Sequence, residues 1–345
     1  RLLRDKDLGP RVALAVGQLS DDSTVFETGP SSVTPASTMK MLTTTAALAA
    51  LGPEHTFRTT VVAGASTRDV VLVGGGDPLL ARAPDSDVYP ARADIVTLAK
   101  ATARSLKNLG RVRVRLGYDA SLFSGPSVSP AWKASYIPED VVSPISSLWV
   151  DEGVEPGGNS RESDPALAAA NEFARVLKKQ GITVRGKPSP VEAAPEAEEY
   201  ASVHSAPLSQ IAQWTLEVSD NEAAEVLFRH VALAEGQEGS FAGGATAVTE
   251  VLTRLGVDTT GARILDGSGL SRDNRLAPRT LLDVLAVGSD PPSPPMLPGV
   301  ERLPVAGFTG SLTLRFASDD EVGLGRVRAK TGTLTGVHGL AGLVT

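Results

Sequence analysis

Alternating apolar and polar residues predict an extended hairpin at the start of the chain, with a helix after it. Residues 11–19 alternate, residues 20–23 have the composition of a turn, and residues 24–29 resume the extended pattern. Residues 39–51 are rich in Ala, Leu and Thr and stop at Gly52-Pro53, as helices do. The pattern therefore puts Ser37 at the N-terminus of a predicted helix.

The rest of the chain mixes predicted strands and helices without a visible repeat. Strands are predicted at 56–63, 69–73, 111–116, 263–265, 326–331 and 339–344. Helices are predicted at 93–109, 164–180, 207–218, 222–234, 241–255 and 278–287. Loops are predicted at 124–144 and 290–298, and a solvated linker at 191–200.

Composition excludes several classes of protein. The chain has 345 residues, enough for two or three domains, and its net charge of −7 argues against binding to nucleic acid. Cysteine is absent and no two of the four histidines have metal-ligand spacing, so we expect no disulfide and no thiolate or paired-histidine metal site. No apolar run is long enough for a transmembrane segment. The chain opens at Arg1 without a signal peptide, and we expect a mature chain from which an export signal has been removed.

Ser37 and Lys40 form the first candidate catalytic pair. Residues three apart share a helix face, and a buried amine can lose its proton and then accept one from a hydroxyl. The helix N-terminus also favours developing negative charge at Ser37. Alone, the pattern also fits an N-cap serine beside a solvated lysine.

Two later segments add polar groups to this pair. Ser219-Asp220-Asn221 falls between two predicted helices, where a second hydroxyl could relay a proton and the Asn221 amide could hold Lys40 and a substrate carbonyl. Lys330-Thr331-Gly332-Thr333 falls on a predicted strand, where a cation and two hydroxyls can bind an anionic group and Gly332 leaves room for substrate. Each segment alone also fits a plainer role, as a helix cap or a solvated edge strand. Their joint occurrence in this order favours catalysis.

The chain resembles the class C low-molecular-mass penicillin-binding proteins, the D-alanyl-D-alanine carboxypeptidase/endopeptidase family. The resemblance covers essentially the whole chain and includes Pro35–Lys40, Asp266–Arg272, and Leu303–Gly307 followed by Thr309–Leu312. Ser37 and Ser219 are 182 positions apart, an interval in which the family places extra domains.

The resemblance implies a multidomain α+β fold. Its catalytic penicillin-binding domain, residues 1–58 and 202–345, would have a transpeptidase-like, β-lactamase-like antiparallel sheet flanked by helices. Residues 59–201 would form an inserted α/β region, as one domain or two nested subdomains. The family's fold continues past its third motif with another strand and a C-terminal helix, whereas this sequence ends at Thr345.

The resemblance also implies residue roles. Ser37 would attack a peptidoglycan stem peptide ending in D-Ala-D-Ala, with Lys40 as base and Ser219 as proton relay. The remaining implied contacts are Asn221, Lys330, Thr331, Gly332 and Thr333 for substrate, with the backbone N–H groups of Ser37 and Thr333 as the oxyanion hole. β-Lactams would acylate Ser37 as inhibitors, no metal or cofactor would be needed, and the enzyme would be exported to the periplasm or cell wall.

One segment departs from the family's pattern. Family members often carry a Trp-containing acidic segment that shapes the pocket for the stem-peptide side chain. Trp132 is retained here as a substrate-binding candidate, but the acidic residues are out of register, and Glu139, Asp140 or Asp151 would have to replace them.

Two alternative functions stay open on the sequence. A serine β-lactamase would share the motifs, but no additional general base is evident and the long interval argues against it. A penicillin-binding sensor or wall-binding scaffold would keep the fold without hydrolysing peptide.

Overall fold

The computed structural model describes residues 3, 5–18, 23–289, 303–316 and 322–345. The chain separates into two compact units. The first comprises Arg1–Pro53, Ala212–Gln237 and Phe241–Thr345, and the second comprises Glu54–Ile211 and Glu238–Ser240. A compact unit is not by itself a folding domain, so the predicted insertion of residues 59–201 stays a prediction.

Seven α-helices and ten strands are present in the described residues. The helices are α1 Met39–Leu51, α2 Ile95–Asn108, α3 Pro165–Lys179, α4 Leu208–Glu217, α5 Asn221–Ala234, α6 Phe241–Arg254 and α7 Pro278–Ser289. The strands are β1 Leu14–Gln18, β2 Ser23–Thr28, β3 Arg58–Ala63, β4 Asp69–Val73, β5 Arg113–Asp119, β6 Thr183–Val184, β7 Ser189–Pro190, β8 Glu199–His204, β9 Val327–Leu334 and β10 Val337–Val344. Every helix predicted from the sequence is confirmed to within a few residues. None of the described helices is long and apolar enough to cross a membrane.

The first unit is built around α1. Ten of its thirteen residues are buried, and it packs against α5, α6 and α7. Its small Ala and Thr side chains let these neighbours approach closely, and the helix ends at Gly52, whose φ is 86°. The predicted hairpin is confirmed as the antiparallel pair β1–β2, and a second antiparallel pair joins β9 to β10. Because α1 starts at Met39, two residues after Ser37, the candidate nucleophile is attached to a largely buried helix of this unit.

The second unit contains a six-stranded mixed sheet. Its order is β6-β5-β4-β3-β8, and β7 also pairs with β5. β3 is antiparallel to β4 and β8, whereas β5 is parallel to β4, β6 and β7. Helices α2 and α3 pack together and against this sheet. Asp94 and Asp164 cap them by accepting backbone N–H bonds from Thr97 and Leu167.

The predicted solvated linker at 191–200 is wrong at its C-terminal end. Glu199 and Tyr200 begin β8, which the sequence analysis missed. Tyr200 is buried, and its backbone oxygen accepts a hydrogen bond of 2.7 Å from the hydroxyl of Ser105 on α2. Packing against α2 and pairing with β3 therefore override the polar character of the preceding segment.

Two other predicted segments have different outcomes. The strand predicted at 263–265 is wrong: only an isolated bridge joins Arg263 to Arg275, because the N–H of Leu265 donates instead to the side-chain oxygen of Asn274 at 2.8 Å. The loop predicted at 290–298 lies outside the described residues.

Candidate active site

Ser37 lies in a strained turn. It is the middle residue of a 3₁₀ turn, Ala36–Thr38, that leads directly into α1. Ala36 is fully buried and has a φ of 48°, the left-handed region that disfavours residues with a Cβ. Such strain persists only where surrounding contacts impose it, and it occurs often at functional sites. The turn leaves Ser37 half-buried rather than enclosed.

Lys40 lies one turn further on, with none of its surface exposed. Its Nζ is 3.0 Å from Ser37 Oγ, 2.8 Å from Asn221 Oδ1 and 2.9 Å from the backbone oxygen of Ser268. Burial lowers the pKa of Lys40 to about 8, although nearby carboxylates oppose that shift. A solvated lysine, the plainer reading of the motif, is therefore excluded.

The segment Ser219–Asn221 links α4 to α5. Ser219 has a φ of 64°, also in the left-handed region. The carboxylate of Asp220 caps α5 by accepting from the N–H of Ala223 at 2.8 Å, and its other oxygen accepts from Nε1 of Trp214 at 3.0 Å. Asp220 is therefore the residue that caps α5. The cap fixes the position of Asn221, the first residue of α5, and the side-chain oxygen of Asn221 accepts a hydrogen bond from Lys40.

Lys330 on β9 joins the second segment to the third. Its side chain is fully buried, and its Nζ donates to Ser219 Oγ at 2.8 Å and to the backbone oxygen of Thr331 at 2.9 Å. Burial, together with the positive charge of Lys40, lowers the pKa of Lys330 to about 6. The two hydroxyls and two amines thus fall into two hydrogen-bonded pairs, Lys40 with Ser37 and Lys330 with Ser219.

Two threonines follow Lys330 along β9. Thr331 is buried and its hydroxyl donates to Ser311 Oγ at 2.9 Å, whereas Thr333 is exposed and pairs across the hairpin with His338. Ser311 is a contact that the sequence analysis did not single out, although it quoted the segment containing it.

Gly332 has a structural role beside the predicted one of leaving room for substrate, which stays a prediction. A Cβ at this position would lie 2.7 Å from the backbone oxygen of Pro35 and 3.3 Å from the side chains of Ala36 and Thr38. The glycine therefore allows β9 to pass against the turn that carries Ser37. The nearby atoms belong to the protein itself.

A buried loop that begins at Asp266 contacts Lys40 through the backbone oxygen of Ser268. The carboxylate of Asp266 accepts backbone N–H bonds from Gly269 and Ser271, at 3.0 and 2.6 Å. Glu225 on α5 accepts from the N–H groups of Gly267 and Ser268, at 3.0 and 2.8 Å. Both acids are fully buried. Glu225 was missed by the sequence analysis, although a lone acid between apolar residues of a helix is a signal of buried pairing.

The structure thus connects most of the predicted site residues within the first unit. Ser37, Lys40, Ser219, Asn221, Lys330 and Thr331 are joined by the contacts above. The oxyanion hole of Ser37 and Thr333 stays a prediction, as does Trp132, which is buried in the second unit. Of its candidate acidic partners, Asp151 is held by Arg82 through Nε at 3.0 Å. In the described residues, no group of His, Asp and Glu side chains could hold a metal ion.

Structural comparison supports the predicted fold class. Penicillin binding protein 4 (dacB) from Haemophilus influenzae superposes with a TM-score of 0.81 at 24% identity, covering 99% of this chain and 89% of that one. The same protein complexed with a β-lactam gives a TM-score of 0.72. The predicted multidomain α+β, penicillin-binding-protein-like fold is confirmed.

Sequence comparison gives the family. The carboxypeptidase Rv3627c of Mycobacterium tuberculosis is 39% identical over 322 residues, 90% of this chain and 68% of that protein. The carboxypeptidase DacB of Mycolicibacterium smegmatis is 38% identical over 349 residues, 97% of this chain and 74% of that protein. The model of the D-Ala-D-Ala carboxypeptidase 3 (S13) family matches residues 1–157 and 155–345. The motifs and the comparisons agree, and the chain belongs to the D-Ala-D-Ala carboxypeptidase 3 (S13) family.

Proposed function

We propose that this protein is a serine DD-peptidase that cleaves D-Ala-D-Ala stem peptides of peptidoglycan through an acyl-enzyme on Ser37. One observation carries the proposal: the Nζ of Lys40 is 3.0 Å from Ser37 Oγ, and Lys40 is fully buried. A desolvated amine in hydrogen-bond reach of a hydroxyl is a general base that needs no histidine and no metal.

Acylation starts from neutral Lys40. Its two N–H bonds point to the oxygens of Asn221 and Ser268, which can only accept, so its lone pair is left for the Ser37 hydroxyl. Ser37 Oγ attacks the carbonyl carbon of the penultimate D-Ala, and its proton passes to Lys40. The oxyanion that forms would be held by the backbone N–H groups of Ser37 and Thr333.

The hydroxyl of Ser219 protonates the leaving group. As the C–N bond to the terminal D-Ala breaks, the leaving nitrogen takes a proton from Ser219, which is replenished from the ammonium of Lys330 at 2.8 Å. Water then adds to the acyl carbon and the bond to Ser37 Oγ breaks. Lys40 returns its proton to Ser37, and a proton from the water recharges Lys330 through Ser219.

Lys330 also suits the terminal carboxylate of the substrate. The pKa of Lys330 is lowered to about 6 by burial and by Lys40, and an adjacent carboxylate would raise it, so substrate binding itself favours the ammonium form. We assign Thr331 and Thr333 to the same carboxylate, because their hydroxyls lie on the same strand. Trp132 stays a proposed contact for the stem-peptide side chain.

The wider setting follows from the substrate. Peptidoglycan lies outside the cytoplasm, so we propose that the protein acts in the periplasm or cell wall after export. β-Lactams carry a reactive amide and a carboxylate, and we propose that they acylate Ser37 and leave slowly. Cleavage of a cross-link between stem peptides, the endopeptidase reaction, would use the same steps.

Mass spectrometry tests this function. The protein is incubated with penicillin and, separately, with a peptide ending in D-Ala-D-Ala, beside a Ser37→Ala variant. We expect a stable penicillin adduct on Ser37 and release of D-Ala, and loss of both in the variant. An adduct that survives Ser37→Ala would exclude Ser37 as the nucleophile.

The same experiment separates the alternatives. A serine β-lactamase would turn penicillin over rapidly and leave no stable adduct. A sensor or scaffold would form the adduct but release no D-Ala. Either outcome would overturn the peptidase proposal while leaving the family assignment intact.

A further inference from the structure

Glu225 holds two successive peptide units of the loop beside Lys40. It lies one helical turn after Asn221 on α5 and has no exposed surface. Its Oε2 accepts from the N–H of Gly267 at 3.0 Å, and its Oε1 accepts from the N–H of Ser268 at 2.8 Å. Each carboxylate oxygen has its own donor, so the orientation of both peptide units is fixed.

The backbone oxygen of Ser268 is one of the three partners of Lys40. Asn221 Oδ1 is the second, and both oxygens are acceptors only. Ser37 is the third, and only its hydroxyl can donate to a neutral amine. Helix α5 thus acts on two of the three directions around Nζ. Asn221 fixes one directly, and Glu225 acts on the other by holding the Gly267–Ser268 peptide unit, which adjoins the unit that carries the Ser268 oxygen.

We propose that Glu225 is a positioning residue for Lys40: by fixing the peptide units of Gly267 and Ser268, it directs the lone pair of the neutral amine at the Ser37 hydroxyl. The inference rests on the proposed function, because the direction of a lone pair matters only if Lys40 is the base.

Other contacts hold the same loop. The N–H of Gly269, which donates to Asp266, is in the same peptide unit as the Ser268 oxygen, and the Gly267 oxygen, which accepts from Thr43, is in the same unit as the Ser268 N–H. Asp266 accepts from Gly269 N and from Asn274 Nδ2, at 3.0 and 2.7 Å. The hydroxyl of Thr43 on α1 donates to the backbone oxygen of Gly267 at 2.7 Å. Burial and the nearby charge of Asp266 raise the pKa of Glu225, whereas the bonds from Gly267 and Ser268 lower it. Both carboxylate oxygens accept N–H bonds, as those of an ionised carboxylate do. Burying two carboxylates is costly, and here both serve one loop.

The charges around Lys40 affect its pKa, so a change of charge at Glu225 should alter the pH dependence of acylation. Asp220, Glu222 and Glu225 at the start of α5 and Asp266 in the loop raise the pKa of Lys40. On the cationic side, Lys330 of β9 is close enough for the two lysines to interact, and Arg229 lies further along α5. Removing the charge of Glu225 therefore lowers the pKa of Lys40, and the pH at which the base becomes active falls.

Glu225→Gln is the test variant, because glutamine keeps the shape of the side chain and removes its charge. Its amide NH₂ also replaces one carboxylate oxygen, so one of the N–H groups of Gly267 and Ser268 loses its acceptor. The acylation rate constant is measured with a chromogenic β-lactam between pH 6 and 10, with thermal unfolding to verify folding. We expect the high-pH plateau to fall roughly 10- to 100-fold through misalignment. We also expect the acidic limb of the profile to move to lower pH.

Two further variants separate positioning from charge and from folding. Glu222→Gln removes a charge from the same helix and leaves the bonds from Gly267 and Ser268 to Glu225 in place, so the acidic limb of its profile should shift while its plateau is unchanged. Thr43→Val removes the hydroxyl that holds Gly267 and changes no charge, so its plateau should fall while its limb stays in place. If Glu225→Gln does not fold, Thr43→Val still decides the question.

The inference would be overturned if a folded Glu225→Gln variant had the wild-type plateau. If Glu225→Gln does not fold, a wild-type plateau in Thr43→Val would overturn it. An equal plateau loss in Glu222→Gln would do the same, because charge alone would then explain it. The wild-type protein and Ser37→Ala are measured alongside. If wild-type protein is not acylated at Ser37, the proposed function fails; if it is and the plateau of Glu225→Gln is unchanged, only the positioning role fails.

Discussion

A Cβ added at Gly269 would lie 1.9 Å from the backbone oxygen of Ala36. The loop that begins at Asp266 therefore passes directly against the turn that presents Ser37, and the contact requires a residue without a side chain. Gly269 also has a φ of 85°, which glycine adopts without strain.

Replacement of Gly269 by alanine should cost more than backbone strain alone. The left-handed φ and the clash with Ala36 together predict a loss of about 2–5 kcal/mol of unfolding free energy. Gly256→Ala is the matched control, since Gly256 has the same φ of 85° and nothing within 4 Å of its added Cβ. It should lose only about 1–2 kcal/mol. Urea unfolding measures both, and equal losses would show that the close contact is not maintained in solution.

Lys40→Ala should abolish most acylation without unfolding the protein. Loss of a general base reduces rates by about 10²- to 10⁴-fold, and removing a buried amine also removes its desolvation cost. The measurement is the rate of penicillin labelling, with circular dichroism as the test of folding. Lys187→Ala, which removes an exposed lysine, should label at the wild-type rate. If folded Lys40→Ala labels normally, Lys40 is not the base.

The burial of Lys330 should make stability rise with pH. Its pKa is about 6 in the folded protein against 10.5 for the free side chain, so between these values the unfolded chain binds more protons than the folded one. Stability then increases with pH, because the slope has the sign of that proton difference. We expect the unfolding free energy of wild type, minus that of Lys330→Met, to rise from pH 6 to pH 9. A flat difference would indicate that Lys330 keeps its proton when buried.

Ser219 should show a conflict between stability and function. Its φ of 64° costs about 1–2 kcal/mol for a residue with a Cβ, and Ser219→Gly relieves that strain. Ser219→Ala removes the same hydroxyl but keeps the strain. Both variants should lose D-Ala release to the same degree, while the glycine variant should be the more stable in thermal unfolding by about 1 kcal/mol. Equal stability of the two would mean that the strain is absent.

The three motifs could be predicted from sequence because each is a short run of residues on one element. Ser37 with Lys40, and the N-cap segment at Asp220, are local patterns whose chemistry is legible without a fold. One contact between the motifs, that of Asn221 with Lys40, was also predicted. The structure supplies its distance.

The features that were not predicted from the sequence depend on contacts between segments that are distant in the chain. The role of Gly332 depends on Pro35, and that of Glu225 on Gly267, and in each case the partner is remote in the chain. Strand β8 was missed for the same reason, because its conformation comes from pairing with β3 and from packing on α2.

The complete burial of Lys40 has a consequence for chemical labelling. An amine with a pKa of about 8 would, on a surface, react with acylating reagents sooner than ordinary lysines do. Lys40 and Lys330 have no exposed surface, so such reagents reach exposed lysines such as Lys187 first. The two lysines with lowered pKa values are in this way shielded from reagents that cannot enter the site.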